Sequence, residues 1–325
     1  SRAWLDTIRT IPDLRMVGFV DINEEAAQSR ASQYAWDEAA TGTDLAAMLE
    51  RTHPDVVFDC TVPEAHMQVT LTALAHGCHV LGEKPLSDSM ENARRVVAAA
   101  EAAGKTYAVI QNRRYDPNIR RLSAFLASGA IGPVTTVNVD FYVGAHFGGF
   151  RDEMPSPLIL DMSIHHFDLA RFMTGADPVA VYALEFNPKG SWYRGDVAAS
   201  CIFEMSDGVV FTYRGSWCAE GCHTSWNGDW RIIGEKGTLV YDHDNDPLGQ
   251  VLAGDEGFHR PLTELEIVPS PLEFTGMHGA LREMLAFIRT GEKPQTECHD
   301  NIKSLSMVFS AIESAERRER VEVEV

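Results

Sequence analysis

Four short stretches with apolar centres, separated by stretches with helical spacing, constrain this chain more than any other feature. They occupy residues 16–20, 55–60, 79–82 and 106–111. A strand buried on both faces has no polar side to present, so it reads as a continuous apolar run rather than an alternation. Such strands alternating with helices build a parallel, doubly wound sheet, which binds ligands beyond the carboxyl ends of its strands. The third run continues into Glu83, Lys84 and Pro85. Lys84 is therefore expected at a ligand-binding edge, aimed by the proline that follows it. X–Pro bonds are the only ones with an appreciable cis population.

The segments between these runs carry helix and turn signals. Leu5, Ile8 and Ile11 form the stripe of a first helix that Pro12 ends. The run at 16–20 stops at Asp21, where a dinucleotide fold holds the adenosine ribose hydroxyls and where a carboxylate repels a 2′-phosphate. That favours NAD over NADP. A turn residue introducing the next helix is the alternative. A helix over 24–32, a short strand at 34–36 and a helix capped by Thr43-Asp44 follow. After the strand at 55–60, Thr61, Val62 and Pro63 form a turn that places backbone N–H groups beside a cofactor. His66 is either a surface or cap residue or a group leaning toward the dinucleotide. Ser87 is the expected cap of a helix reaching residue 103, and Gly104 stops it. Asn112, Arg113, Arg114 and Tyr115 leave the fourth run, and Asp116-Pro117 opens a helix as N-cap and N1. A doubly wound fold normally places a strand and a Gly-rich turn ahead of its first helix. The expectation is that a short piece carrying G-x-G-x-x-G belongs before Ser1.

From Gly132-Pro133 onward the pattern changes to successive strands, at 134–143, 179–186, 197–205, 209–217, 230–233 and 238–241, joined by Gly, Asp and Asn turns. This predicts an α/β chain with a Rossmann domain over 1–117 and an α+β domain over 118–325 built on a large open, mostly antiparallel sheet. Two helices close the chain, at 276–290 and 299–319, the second expected to return toward the first domain. Among the strands lies one helix, 157–174, with Ser156 as cap, Pro157 at N1 and Gly175 as C′ residue. On it Asp161, His165 and Asp168 are spaced four and three apart, which places them on one face. A solvated polar row is the bland account of that spacing.

Charge and cysteine usage exclude several classes. The net charge of −19 argues against nucleic acid, which requires clustered cations. No apolar run approaches the roughly 20 residues needed to cross a bilayer. The six cysteines contain no C-x-x-C pair, as in a reducing cytoplasm. Cys218, Cys222 and His223 come near metal-ligand spacing without a fourth ligand, and no metal is expected. Trp192, Trp217, Trp226 and Trp230 could stack on a sugar ring, but most are expected in the core.

Several of these motifs, in this order, resemble the Gfo/Idh/MocA (glucose-fructose oxidoreductase/inositol dehydrogenase) family. They are the Asp21-ended strand, the turn with Thr61, Pro63 and His66, and Glu83-Lys84-Pro85. Asn112-Arg113-Arg114-Tyr115-Asp116-Pro117 and the Asp161-x-x-x-His165-x-x-Asp168 helix complete the set. The resemblance covers essentially the whole chain and lacks only the Gly-rich turn. It implies a cis Lys84-Pro85 bond, with cofactor contacts from Asp21, Ile22, Thr61, Val62, Pro63, His66, Glu83, Lys84 and Asn112. It also implies a homodimer or homotetramer formed through the C-terminal sheet.

The expected reaction is NAD-dependent hydride transfer at a hydroxyl-bearing carbon of a sugar or polyol. His165 would be the base, its ordinary pKa of about 6.5 suiting the task. Lys84 would stabilise alkoxide character, and Asp161 would orient hydroxyls and tune His165. Arg113, His146, Asp161 and His165 are the candidate substrate contacts. Arg151 shares the glycine-bearing loop with His146, and a plain flexible loop is the alternative for both. His166 is assigned a structural place. An oxidation–elimination enzyme and a non-catalytic NAD-binding regulator are the competing readings.

Overall fold

A computed structural model describes residues 2–269 and 272–325. The chain forms two compact units, Ser1–Asn112 with Phe274–Ile302, and Arg113–Glu273 with Lys303–Val325.

In the first unit α1 (Arg2–Ile8), β1 (Gly18–Val20), α2 (Glu24–Gln33), β2 (Ala40–Gly42), α3 (Leu45–Thr52) and β3 (Val56–Asp59) follow one another. They continue into α4 (Pro63–Ala75), β4 (His79–Gly82), α5 (Met90–Ala103) and β5 (Tyr107–Val109). Every strand pair is parallel, in two pieces: β1 with β2, and β3–β4–β5 with Leu81 between Phe58 and Ala108. Val80, Leu81, Ala108 and Val109 are buried, which is why the centres of their runs are apolar. Asn23 and Asp44 cap α2 and α3 through side-chain oxygens that accept backbone N–H bonds.

Two local expectations shift here. The strand expected at 34–36 lies instead at Ala40–Gly42. Tyr34 and Trp36 stack on each other at 5.5 Å across a turn in which Ala35 has φ 56°, and aromatic burial rather than strand pairing places them. The cap of α5 is Ser89, whose Oγ accepts from Asn92 N at 3.2 Å. Ser87 is buried two residues before the cap position.

The second unit contains α6 (Pro117–Ala127), β6 (Val134–Tyr142), the short α7 (Phe150–Glu153), a π-helical turn (Leu158–Ser163) and α8 (Ile164–Thr174). The strands β7 (Pro178–Phe186), β8 (Ala198–Met205), β9 (Val210–Ser216), β10 (Asp229–Gly234), β11 (Gly237–Tyr241), β12 (Leu248–Leu252) and β13 (Leu262–Leu265) follow. Then come α9 (Gly276–Thr290), α10 (Cys298–Arg317) and β14 (Val321–Glu322). One nine-stranded sheet runs in the order β13-β12-β11-β10-β6-β9-β8-β7-β14. It is antiparallel except for the central parallel pair β6–β9. Period-two alternation divides its faces. The cross-strand row Val181, Phe203, Phe211 is fully buried, with Phe167 of α8 edge-on to both phenylalanines. In the next row Tyr182 and Ile202 are half exposed.

A division at 117/118 with one continuous second domain differs from the compact units. Phe274–Ile302 groups with the first unit. There Arg289 Nη2 donates to Asp13 Oδ2 at 2.8 Å, Val109 N to Thr296 O at 3.0 Å, and Ala108 bridges Glu297. Of the two closing helices α9 groups with the first unit, and α10 begins in that unit and continues into the second. Spacing marks a helix and its apolar face, but not which neighbour covers that face.

Candidate active site

In the first unit the expected cofactor residues gather at the carboxyl ends of the parallel strands. Asp21 directly follows β1, exposed, and its Oδ1 accepts from Asn23 N at 2.9 Å; Ile22 beside it is fully exposed. After β3, Asp59 is buried, and its Oδ1 accepts from Thr61 N at 3.0 Å and Thr61 Oγ1 at 2.6 Å. That pair of bonds shapes the turn into α4. Val62 stands at the N-cap with no side-chain cap, Pro63 at N1 brings no N–H, and Ala65 N donates to Val62 O at 2.9 Å. After β4, Glu83 accepts a bond from Trp4 Nε1, and Lys84 precedes a cis peptide to Pro85. Lys84 and Asn112 are both partly exposed.

His66 has a different place from a cofactor contact. It is fully buried, with Nδ1 2.8 Å from Pro85 O and Nε2 3.2 Å from Thr61 O. Its ring holds the β3–α4 turn and the Lys84-Pro85 turn at a fixed spacing, which makes it a positioning residue. The exposed carboxylate and the fully exposed apolar side chain that follow β1 would suit an adenosine ribose and an adenine face. A dinucleotide would be held by Asp21, Ile22, Thr61 and Val62.

In the second unit the helix expected over 157–174 begins with a π turn. Ser163 Oγ donates to Leu158 O at 3.1 Å, five residues back, and the wider turn carries Asp161. Such turns are frequent at functional sites because they rotate a side chain out of α-helical phase. Ser156 donates to Glu185 Oε2 at 3.0 Å instead of capping the helix. That bond does not offset burial, which pushes the Glu185 carboxyl up to about 7. Gly175 closes α8 at φ 71° as expected.

The three residues of the polar row divide. Asp161 Oδ2 accepts from Arg151 Nε at 2.6 Å, and His165 is 8% exposed one α-helical turn on. Asp168 is buried in a bidentate pair with Arg114 and takes no part in a shared face. His166 is fully buried among Phe141, Tyr213 and Trp230, and burial, then the Arg113 charge, holds its pKa well below 6.5. It remains neutral.

Arg113, a candidate substrate contact, donates from Nη1 to Asn227 Oδ1 at 2.8 Å, and Asn227 in turn donates to Asp116 Oδ2 and Asp244 Oδ1. Burial lowers its pKa to about 10, and it stays cationic. Its hydrogen bond goes to the protein's own network. His146 stacks on Trp192 at 3.7 Å and pairs with Glu220 at 2.8 Å, exposed at the surface. Trp217 and Trp230 lie in the core as expected, while Trp226 is 44% exposed.

Sequence spacing gave no sign of the Arg151–Asp161 pair. Arg151 lies ten residues ahead of Asp161 with no glycine between them, a spacing that carries no signal of a return. Glu297, Cys298 and His299 place ligand atoms within 4.8 Å of one another. Glu297 Oε2 accepts from His299 N at 3.1 Å and Oε1 lies 2.7 Å from His299 Nδ1, so this cluster caps the start of α10.

Residues 2–111 match a family model described as an oxidoreductase family with an NAD-binding Rossmann fold, and residues 119–240 match the Gfo/Idh/MocA C-terminal domain. The D-apiose dehydrogenase of Paraburkholderia graminis is 26% identical over 99% of this chain and 87% of its own. The myo-inositol 2-dehydrogenase of Thermotoga maritima is 23% identical over 98% and 94%. A crystal structure of an Agrobacterium radiobacter oxidoreductase in complex with NAD+, L-tartaric acid and magnesium shares the fold. It has a TM-score of 0.85 and 21% identity, over 98% of this chain and 94% of that one. A parallel-stranded unit matching the first model and a nine-stranded mixed-sheet unit matching the second place this chain in the Gfo/Idh/MocA family of NAD-binding oxidoreductases.

Proposed function

We propose that this chain transfers hydride between NAD and a hydroxyl-bearing carbon of a sugar, polyol or sugar derivative. The observation that carries the reading is Lys84 at the carboxyl end of β4, the edge at which an open parallel sheet binds its ligands. The names of the relatives, a D-apiose and a myo-inositol dehydrogenase, favour hydroxylated substrates. Asp21 favours NAD, since an exposed carboxylate after β1 repels a 2′-phosphate.

A bound nicotinamide supplies the hydride acceptor or donor. The chain's own residues handle the proton and the charge. His165 takes the hydroxyl proton at a ring nitrogen on oxidation and returns it on reduction. Lys84 donates from Nζ and stabilises negative charge on the oxygen. Asp161 accepts from substrate hydroxyls and orients them toward His165. Lys84, Asp161 and His165 are the residues on which we place the chemistry. His66, through Thr61 and Pro85, keeps the Lys84 turn in place.

The half-exposed face of the sheet, with Val179, Tyr182, Leu184 and Phe186 of β7 and Ile202 of β8, favours a homo-oligomer through this face. Among the described residues no helix is long and apolar enough to cross a membrane. The six free thiols suit a reducing cytoplasm.

The test is titration with NAD and NADP, then turnover on inositols, aldoses and sugar lactones, with Lys84→Ala alongside. Tight NAD binding, turnover of a hydroxylated substrate and a variant that binds NAD but turns over slowly are expected. Cofactor binding with no hydride transfer to any substrate would replace this reading with a regulatory one.

A further inference from the structure

The loop before the π turn is fastened by its backbone at both ends and by the side chains of His146, Phe147 and Arg151 between them. At its start Ala145 O accepts from Trp192 Nε1 at 3.3 Å and from the Tyr193 hydroxyl. At its end Asp152 O and Pro155 O accept from Arg194 N and Asp196 N, both at 2.8 Å. Between these points Gly148 and Gly149 take φ 69° and 70°, a region open to glycine. The side chain that returns to the helix is Arg151. Its guanidinium lies over the Phe147 ring at 5.1 Å and the Phe150 ring at 4.7 Å, and its Nε edge is spent on Asp161. Its side chain is 32% exposed, and neither Nη donates to any side chain or carbonyl among the described residues.

We propose that Arg151 is a specificity-determining residue, forming with Asp161 a donor–acceptor edge that reads two adjacent hydroxyls of a neutral sugar or polyol. The proposal deepens the reading of this chain as a sugar or polyol oxidoreductase and rests on it. One hydroxyl donates to Asp161, and its neighbour accepts from Arg151 Nη. Phe147 and Phe150, 46% and 62% exposed, hold the guanidinium plane from its sides and offer apolar surface to the ring carbons. A carboxylate would suit the Nη fork in isolation. The surroundings oppose it: Asp161 already neutralises Arg151, Asp152 is adjacent in the chain, and Glu153 and Glu220 lie on the same loops, with Arg194 and His146 as their partners. The edge therefore selects a neutral diol over a sugar acid.

The experiment uses the full chain with saturating NAD and measures equilibrium binding of D-glucose, its 2-, 3- and 4-deoxy analogues, myo-inositol and D-glucuronate. Wild-type protein, Arg151→Met and Arg151→Lys are compared. In wild type, loss of one of the two adjacent hydroxyls is expected to weaken binding by about 10- to 100-fold, since it leaves a charged partner unsatisfied. In Arg151→Met that penalty should fall to within about threefold for the hydroxyl facing Arg151, and Arg151→Lys should restore only part of it. D-glucuronate should bind more weakly than D-glucose. Tighter binding of D-glucuronate, or an equal loss for every analogue in Arg151→Met, overturns the proposal and leaves Arg151 as a brace for Asp161. If no hydroxylated probe binds protein that binds NAD, the sugar reading itself falls and this inference with it.

Discussion

Arg114 and Asp168 meet in two parallel hydrogen bonds inside the second unit, Nε to Oδ2 at 2.7 Å and Nη2 to Oδ1 at 2.6 Å. Their side chains are 4% and 1% exposed, and Ser304 Oγ adds a third bond to Oδ1 at 2.8 Å. The pair ties the segment entering α6 to α8 and α10. Removing one partner leaves the other charge buried, which costs roughly 3–5 kcal/mol. Asp168→Ala and Arg114→Met should each lower stability by about that amount in denaturant unfolding. The double variant Arg114→Met/Asp168→Leu should cost less than the two singles summed. A loss below about 1 kcal/mol for both singles would show that the pair does not hold these elements.

Stability should fall as pH rises through the range of Glu185. Its folded pKa, about 7, lies above the ordinary 4.5, because burial outweighs the Ser156 bond. The protonated form favours the fold, so its contribution is complete below about pH 4.5 and is lost progressively up to about pH 7. Glu185→Gln should therefore raise stability at pH 8 by on the order of 1–3 kcal/mol and change it little at pH 4. Unfolding curves at the two pH values check this, and an equal effect at both would refute it.

Gly195 has no room for a side chain. A Cβ there would collide with the backbone oxygens of Met154 and Pro155, on the segment that leads from Arg151 into the π turn. Gly195→Ala must displace that segment. Small displacements of positioning groups can cost about 100-fold in rate. The expected outcome is a fall in kcat/KM of about 10- to 100-fold with an unchanged NAD dissociation constant, because the cofactor residues lie in the other unit. Equal weakening of both would mean that the substitution acts by general destabilisation.

Asp21→Ala should relax cofactor choice. An exposed carboxylate opposite a phosphate is worth about 1–4 kcal/mol at contact distance, so the NAD/NADP affinity ratio should drop roughly 10- to 100-fold. Parallel titrations measure the ratio. A ratio that does not move places discrimination elsewhere.

Much of the architecture was legible because burial writes itself into composition. Runs such as Val80-Leu81 and Ala108-Val109 carry no polar residue since both strand faces are covered, and Asp44 and Asp116 announce helix starts by local chemistry. Gly175 does the same for a helix end. These signals depend on residues within a few positions of one another, so the sequence alone determined the element order, the parallel first unit and the mostly antiparallel second one. Long-range partners were beyond it. Asp161, His165 and Asp168 share a spacing, but one faces Arg151 and another is sealed against Arg114 and Ser304, and a π turn shifts the phase between them. His66 became a brace only because two carbonyls from separate turns meet its ring. Only the tertiary structure decided which surface covered α9, that β6 pairs in parallel with β9, and which polar residues were left to meet a ligand. Each of those choices is made by atoms far apart in the chain.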